Sequence, residues 1–503
     1  MDVSLKGALI RQAYKKLKRN DYIAALKCAT QVLDHFPDDV KILNFCGITM
    51  LRWNGQYDQA VYYFKRALEV NPEISETFNN LGRAYWAKRD DTSARGYFYK
   101  AISKDRHLFS AYYNLAVMEK NLERFPQAEK ALMDCISIRP DELHTKYHLL
   151  DVYEACRLFP KALKFCDWFI RNHPTNPKLR FLRSRLRMRI GDYKHGWVDY
   201  EWRVNISREN SKGVNIQWSM ANWQGQNFHG KTLLIQQDQG FGDVIQMLRF
   251  LPAVKERGGN VILWVKQELR QLLADSSLVD GNLILLSEKI GFTGMADYVA
   301  DLSSLPFLLQ SGDQINPIPI PYLSSNKRLS AKWLEQIGSE DFKVGICWSG
   351  EPLQANNERR SCSPLLFKEI DLPGVTLVSL QIQKNKVAVE EIGYHLVDLS
   401  DSINDFADTA AIMRNLDLIV TIDTSVAHLA GALGSPVWTI LNYTHCWRYG
   451  IDQSYCPWYP KMKLFVQADA GNWKSVINNV RTDLQKLVGS QSSNDLQHFV
   501  ETN

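Results

Sequence analysis

The 503-residue chain, 45% hydrophobic and 23% charged, is long enough for a helical array followed by one large or two medium α/β domains. A net charge of only +5 suits an anionic ligand and excludes the concentrated basic face of a nucleic-acid binder. Nine cysteines, an odd number with no Cys-x-x-Cys pair, exclude a disulfide framework and a zinc knuckle and point to a reducing compartment, the cytoplasm by default.

The N-terminus reads as an amphipathic helix and not as a signal peptide, and no apolar run is long enough to span a bilayer. Ala25, Ala60, Ala94, Ala128 and Ala162 then recur 34 or 35 residues apart, and Gly196 comes 34 residues later. Pro37, Pro72, Pro140 and Pro174 each stand twelve residues beyond one of these alanines, while Arg106 replaces the proline of the third unit. A small residue where two helices touch, a proline where the second ends and a period near 34 resemble the tetratricopeptide repeat. About six repeats are expected over residues 6–204, the sixth (Gly196, Trp197, Tyr200, Trp202) altered to meet a different neighbour. Such units bury their apolar faces only by stacking, so a solenoid with a polypeptide-binding groove is expected. Arg180, Arg183, Arg185, Arg187 and Arg189 read as a solvated or interdomain helix face.

Residues 205–230, with Trp218 and Trp223, read as a polar connector that packs on the domain beyond it. From Lys231 the pattern changes class: TLLIQQ is a strand, QGFGD a turn, VIQMLRFLPAVKERG a helix and NVILWV a second strand, which implies a parallel sheet. NLILL and DYVADL continue it to a proline-rich break at 316–323. FKVGICWSG, GVTLVSLQ, HLVDLS, LDLIVTID and PVWTILN form a second series. The expected fold is an α-helical solenoid followed by two Rossmann-like α/β domains, 231–325 and 326–488, facing across a cleft, with a polar tail at 489–503 that frays.

Three segments carry candidate chemistry. In LDLIVTIDTSVAHLAGALGSPVW a strand ends at Asp423, and a small-residue helix starts at once; its free amides and dipole form an anion site to which Thr424 and Ser425 can donate, with His428 in the first turn. The alternative is that Asp423 and Thr424 cap the helix and His428 is a satisfied, half-buried ring. In QQDQGFGDVIQ the cleft turn Gly240, Phe241 and Gly242 allows close backbone approach, and Asp243 is either a general base or an N-cap. The third glycine of a dinucleotide fingerprint is missing, and no P-loop occurs. In KVGICWSGEPLQANNERRSCSPL a strand runs into Ser349 and Gly350, and Arg359 or Arg360 can neutralise a phosphate.

Together, in this order, the three segments resemble the heptosyltransferase-like glycosyltransferases of the GT-B fold, and the repeats before them resemble the O-GlcNAc transferase plan and bacterial repeat-fused glycosyltransferases. The resemblance implies Asp243 as general base, Thr424, Ser425 and His428 as the diphosphate turn ordered by Asp423, and Ser349 and Gly350 as the loop facing the phosphates. It implies Arg360, or else Arg359, as the basic ligand, and Gln381 and Leu399 as lining of the nucleoside pocket. Ser425 stands where that family usually has glycine, so the donor sugar is not inherited from it. Trp447, Arg448, Trp458 and Tyr459 of WRYG and PWYP stack on sugar or pack in the core.

The implied activity is an inverting transfer from a nucleotide sugar to an acceptor hydroxyl, with Ser or Thr of a polypeptide in the repeat groove favoured. No cofactor or metal is expected: there is no Asp-x-Asp on a short loop, and DLSD at 398–401 is a poor substitute. Neither nucleic acid nor a membrane span is expected, and self-association through end repeats stays open. Two alternatives remain: a lipid-linked or surface saccharide as acceptor, or a scaffold whose sheet region only senses nucleotide sugars.

Overall fold

The small residues of the 34-residue period lie where helices touch. In a computed structural model, which describes residues 3–53, 55–210, 220–280, 283–286, 296–315, 318–338, 341–352, 357–382 and 392–501, Ala25, Ala60, Ala94, Ala128 and Ala162 are all fully buried. Helices Val3–Lys18 and Tyr22–Leu33, Val40–Arg52 and Tyr57–Val70, Ser75–Ala87 and Asp91–Lys104, and Phe109–Asn121 and Phe125–Ile138 form successive pairs, followed by Leu143–Ala155 and Phe159–Asn172. A Cβ on Gly82 would come within 2.6 Å of the Phe98 ring, so that pair closes tighter than any side chain permits. Polar rungs one repeat apart join neighbouring pairs: Asn44 Nδ2 donates to Thr77 Oγ1 (2.8 Å) and Asn114 Nδ2 to Asn79 Oδ1 (2.9 Å). This is the helical solenoid that the period predicts.

The chain divides into two units, Met1–Phe165 and Cys166–Asn503, so residues 166–204 of the expected array fall in the second unit. The sixth pair, Pro177–Arg189 and Tyr193–Tyr200, belongs to the second unit, because its apolar face is covered by that unit's core. Tyr193 and Trp197 pack edge-on against Trp458 at 5.7 and 6.2 Å, and Trp197 against Trp447 at 5.8 Å. The arginine run is not a solvated face. Arg183 grips the buried Asp199 carboxylate through Nε (2.6 Å) and Nη2 (2.7 Å), and Arg187 Nη1 adds a third bond at 2.8 Å.

The second unit holds two sheets. Strands β1 (Ala221–Asn222), β2 (Thr232–Gln236), β3 (Asn260–Trp264), β4 (Leu283–Leu286) and β5 (Tyr298–Asp301) pair in parallel in the order β1-β5-β2-β3-β4. The edge strand β1 falls inside the stretch expected as connector; the Trp223 amide donates to the Val299 carbonyl (2.9 Å) and its ring is buried. Trp218 lies outside the described residues.

Strands β6 (Phe342–Cys347), β7 (Val375–Ser379), β8 (Leu396–Asp398), β9 (Leu418–Ile422), β10 (Val437–Leu441), β11 (Tyr455–Cys456) and β12 (Tyr459–Val466) form the second sheet, ordered β11-β12-β10-β9-β6-β7-β8. All its pairings are parallel except β11 with β12. β6 and β9 are buried along their whole length, as strands covered on both faces must be. The hairpin β11–β12 was not expected from the sequence. The terminal helix Trp473–Glu501 also continues through the tail expected to fray from residue 489. One apolar core runs from Trp197 through Leu233 and Ile235 to Ile419 and Val437, tying both sheets to the sixth pair. Among the described residues no helix is long and apolar enough to cross a membrane.

Candidate functional site

Two helices that each follow a strand end meet at their N-termini. After β2 the turn at 237–240 leads into helix Phe241–Met247, with Gly240 as its N-cap. After β9, Asp423 and Thr424 lead into helix Ser425–Ala432, whose Ala427, Ala430 and Gly431 are buried. At the crossing a Cβ on Gly242 would lie 2.8 Å from His428 Cδ2 and 3.5 Å from Ser425 Cα. Only glycine permits this approach, and it sets Asp243, the next residue, beside the start of the second helix.

Asp243 does not cap its helix. Its Oδ1 accepts from Arg448 Nη2, and the same guanidinium donates through Nε to Gln246 Oε1 (2.6 Å) and through Nη1 to Cys446 Sγ (3.1 Å). The guanidinium also lies 4.4 Å over the Trp447 ring. Oδ2 of Asp243 takes no hydrogen bond from a described residue, and the carboxylate side chain keeps 28% of its surface exposed. A Cβ on Gly240 would stand 3.4 Å from Oδ2, so a glycine there leaves that oxygen uncovered.

At the second helix Thr424 occupies the N-cap but makes no side-chain cap bond; its Oγ1 turns back to Thr421 Oγ1 (3.4 Å) and the Ile422 carbonyl (3.5 Å). The amides of Ser425 and Val426 therefore have no partner among the described residues, the condition in which a helix start binds an anion. Asp423 is held from below: Tyr449 Oη donates to its Oδ1 (2.8 Å), and Arg360 Nη1 to its carbonyl (3.2 Å). Burial pushes the Asp423 carboxyl above the usual carboxylate range, while the Tyr449 bond and the Arg360 and Arg448 charges pull it back. His428 Nδ1 shares a hydrogen bond with Tyr459 Oη (3.1 Å). Burial first, then Arg448 and Arg249, depress its pKa well below the ordinary value, so the ring is neutral at pH 7 and offers a dipole instead of a charge.

The third segment closes around the same turn. Arg360, on helix Asn357–Arg360, reaches the Asp423 carbonyl, whereas Arg359 is exposed. Gly350 lies flat against the Arg360 guanidinium and donates its amide to Asn357 Oδ1 (3.1 Å). Gln381 Oε1 accepts from the amides of Ser349 (2.9 Å) and Trp348 (3.3 Å), so this side chain shapes the Ser349–Gly350 turn. Leu399, just beyond β8, is buried in the main core. Phe241 stacks at a tilt on Phe406 (5.0 Å).

Four contacts are not legible in the sequence, Arg448 on Asp243, Gln246 on Arg448, Tyr449 on Asp423 and Tyr459 on His428, although Arg448 and Tyr459 themselves are among the residues read there as stacking on sugar or packing in the core. Trp447 and Trp458 are core, packed on each other at 5.9 Å. The signal available was an arginine and a tyrosine adjacent in a tryptophan-rich stretch soon after the Asp423 turn; nothing local ties them to Asp243.

Residues 51–107 and 109–142 match the tetratricopeptide repeat. The chain is 26% identical over 483 residues to Protein FlbA of Caulobacter vibrioides, covering 90% of this chain and 74% of that protein. It is 24% identical over 161 residues to a UDP-N-acetylglucosamine–peptide N-acetylglucosaminyltransferase of Giardia intestinalis, covering 31% of this chain but only 11% of that enzyme. Among solved structures, MamA protein matches 35% of this chain and 94% of its own at 21% identity, with a TM-score of 0.31.

Proposed function

We propose that the second unit is an inverting glycosyltransferase of the GT-B type, moving a sugar from a nucleotide-sugar donor to an acceptor hydroxyl. One observation carries this reading: Asp243, with one oxygen uncovered, stands at the crossing with a helix whose first amides are free. On this reading the donor diphosphate rests on the Ser425 and Val426 amides beside Arg360 and the Ser349–Gly350 turn, with Gln381 and Leu399 toward the nucleoside. Asp243 Oδ2 takes the acceptor's proton as the acceptor oxygen bonds to the anomeric carbon. The bond from that carbon to the diphosphate oxygen breaks in the same displacement, which inverts configuration. Fixed dipoles and Arg360 stabilise the departing diphosphate, without a bound metal or further cofactor.

The acceptor we favour is a Ser or Thr of a polypeptide bound by the repeats. The repeats themselves and the partial match to a peptide N-acetylglucosaminyltransferase support it. Nine free cysteines support a reducing compartment, the cytoplasm. The test uses the purified full chain with UDP- and GDP-sugars. Acceptor-independent donor hydrolysis and transfer of label to protein are expected, both unchanged by EDTA. Label in glycolipid alone moves the acceptor, and magnesium-restorable loss under EDTA removes the metal-free step.

A second reading, a nucleotide-sugar sensor on a repeat scaffold, draws on the way Arg448 and Tyr459 already satisfy Asp243 Oδ1 and His428 Nδ1. Binding without any hydrolysis or transfer would favour it.

A further inference from the structure

The segment between β10 and β12 carries a single arginine that reaches into the other sheet's helix. Arg448 grips two side chains of helix Phe241–Met247 three residues apart: Nη2 holds Asp243 Oδ1 and Nε holds Gln246 Oε1. A planar guanidinium that meets two acceptors on one helix face fixes the rotation of both, which a lysine ammonium cannot do. The grip is itself anchored. Nη1 rests on Cys446 Sγ, the guanidinium covers the Trp447 ring, and Trp447 sits in an aromatic cluster with Trp458 and with Trp197 of the sixth helix pair. Its side chain is only 11% exposed, so solvent does not loosen it. The next residue, Tyr449, holds Asp423 from the same loop.

We infer that Arg448 is a positioning residue for Asp243: by occupying Oδ1 it turns Oδ2 toward the acceptor hydroxyl. The inference rests on Asp243 being the base of the proposed transfer. A carboxylate left free to rotate holds its accepting oxygen displaced from the acceptor's proton, and displacement on the order of 1 Å costs up to about 100-fold in rate.

The test measures donor hydrolysis by the full chain, using whichever UDP- or GDP-sugar it hydrolyses, for the native protein, R448M, R448A, R448K, D243N and the double variant D243N/R448M. R448M should lower kcat about 10- to 100-fold, leaving the donor KM within about twofold. In the D243N background the same change should cost less than about twofold more, because an arginine acting only through Asp243 has nothing left to position. R448K should recover little, and millimolar guanidinium should partly restore R448A, a readout that survives even if R448M folds poorly. Three results overturn the inference: an unchanged kcat in R448M, an equal loss in both backgrounds, or a raised donor KM at constant kcat, which would make Arg448 a phosphate ligand. A fully active D243N, or no hydrolysis of any of these donors, instead removes the proposed function, and the inference with it.

Discussion

The two units differ in how far along the chain their decisive contacts reach. In the first, the rungs join residues one repeat apart, Asn44 to Thr77 and Asn79 to Asn114, and the tight contact of Gly82 with Phe98 stays within one helix pair. In the second, Asp243 meets Arg448 across 205 residues, Arg249 donates to the Trp458 carbonyl across 209, and Arg203 reaches Ser304 across 101. A repeat array is close to a sum of neighbouring terms, so damage to it stays local. In the second unit the largest core cluster runs from the sixth pair to both sheets, so residues distant in sequence pack together around the site. Chemistry that needs groups from several strand ends is built only in the second kind of structure.

The sharpest break in the comparison is Asp243→Asn. The amide keeps the shape and can still accept from Arg448, but it cannot take a proton, so transfer should fall by about 100- to 10,000-fold with the repeats unaffected. Steady-state transfer from the UDP- or GDP-sugar donor measures it, and near-normal turnover would strip Asp243 of its role.

Trp197→Ala tests which unit owns the sixth pair. Removing a buried indole packed on Trp447 and Trp458 should cost about 3–5 kcal/mol. By calorimetry the loss should fall on the transition of the sheet-bearing unit. If the repeat transition moves instead, the sixth pair belongs to the solenoid after all.

A matched pair of glycines sharpens the contrast further. Gly82→Ala and Gly242→Ala each drive a methyl into a buried ring, Phe98 or His428, and each should destabilise by about 1–3 kcal/mol. Nucleotide-diphosphate affinity should survive the first and fall in the second, because only Gly242 lies at the crossing of the two helix starts. Equal binding losses would erase the distinction between local and shared structure.

The same distinction explains what could be read in the sequence. The period of small residues, the strands from TLLIQQ to PVWTILN and the turn at Asp423–Ser425 rest on local pattern, and their elements appear where the pattern put them. Arg448 and Tyr449 sit in a stretch whose composition is that of any aromatic core; only tertiary pairing shows that one holds Asp243 and the other Asp423. Gln381 is a similar case: its place after β7 was evident, but not that its carbonyl would hold the Ser349 turn. The sixth pair is legible in part: its altered residues point to a different neighbour, but the period groups it with the solenoid. Gly196 keeps the repeat period and packs on Met188, while Trp197 beside it faces a different core, and period alone does not say which neighbour a face will meet.

The smallest expected effect concerns His428 and acid. Burial with Arg448 and Arg249 nearby holds its folded pKa well below the unfolded value of 6.5, so below that pH the unfolded chain binds a proton that the folded chain refuses. Stability must then fall as pH drops below about 6.5, by at most about 1.4 kcal/mol per pH unit from this one group. Asp423 acts with the opposite sign: its folded pKa is raised above 3.8, so its protonation favours the folded state as pH falls and offsets part of the loss at the acid end. Urea unfolding from pH 7.5 to 5 should therefore slope more steeply in the native protein than in His428→Gln, whose amide can keep the bond to Tyr459 without titrating. Parallel slopes would mean that the imidazole takes up its proton as readily in the fold as out of it, and that burial beside Arg448 and Arg249 does not hold it neutral.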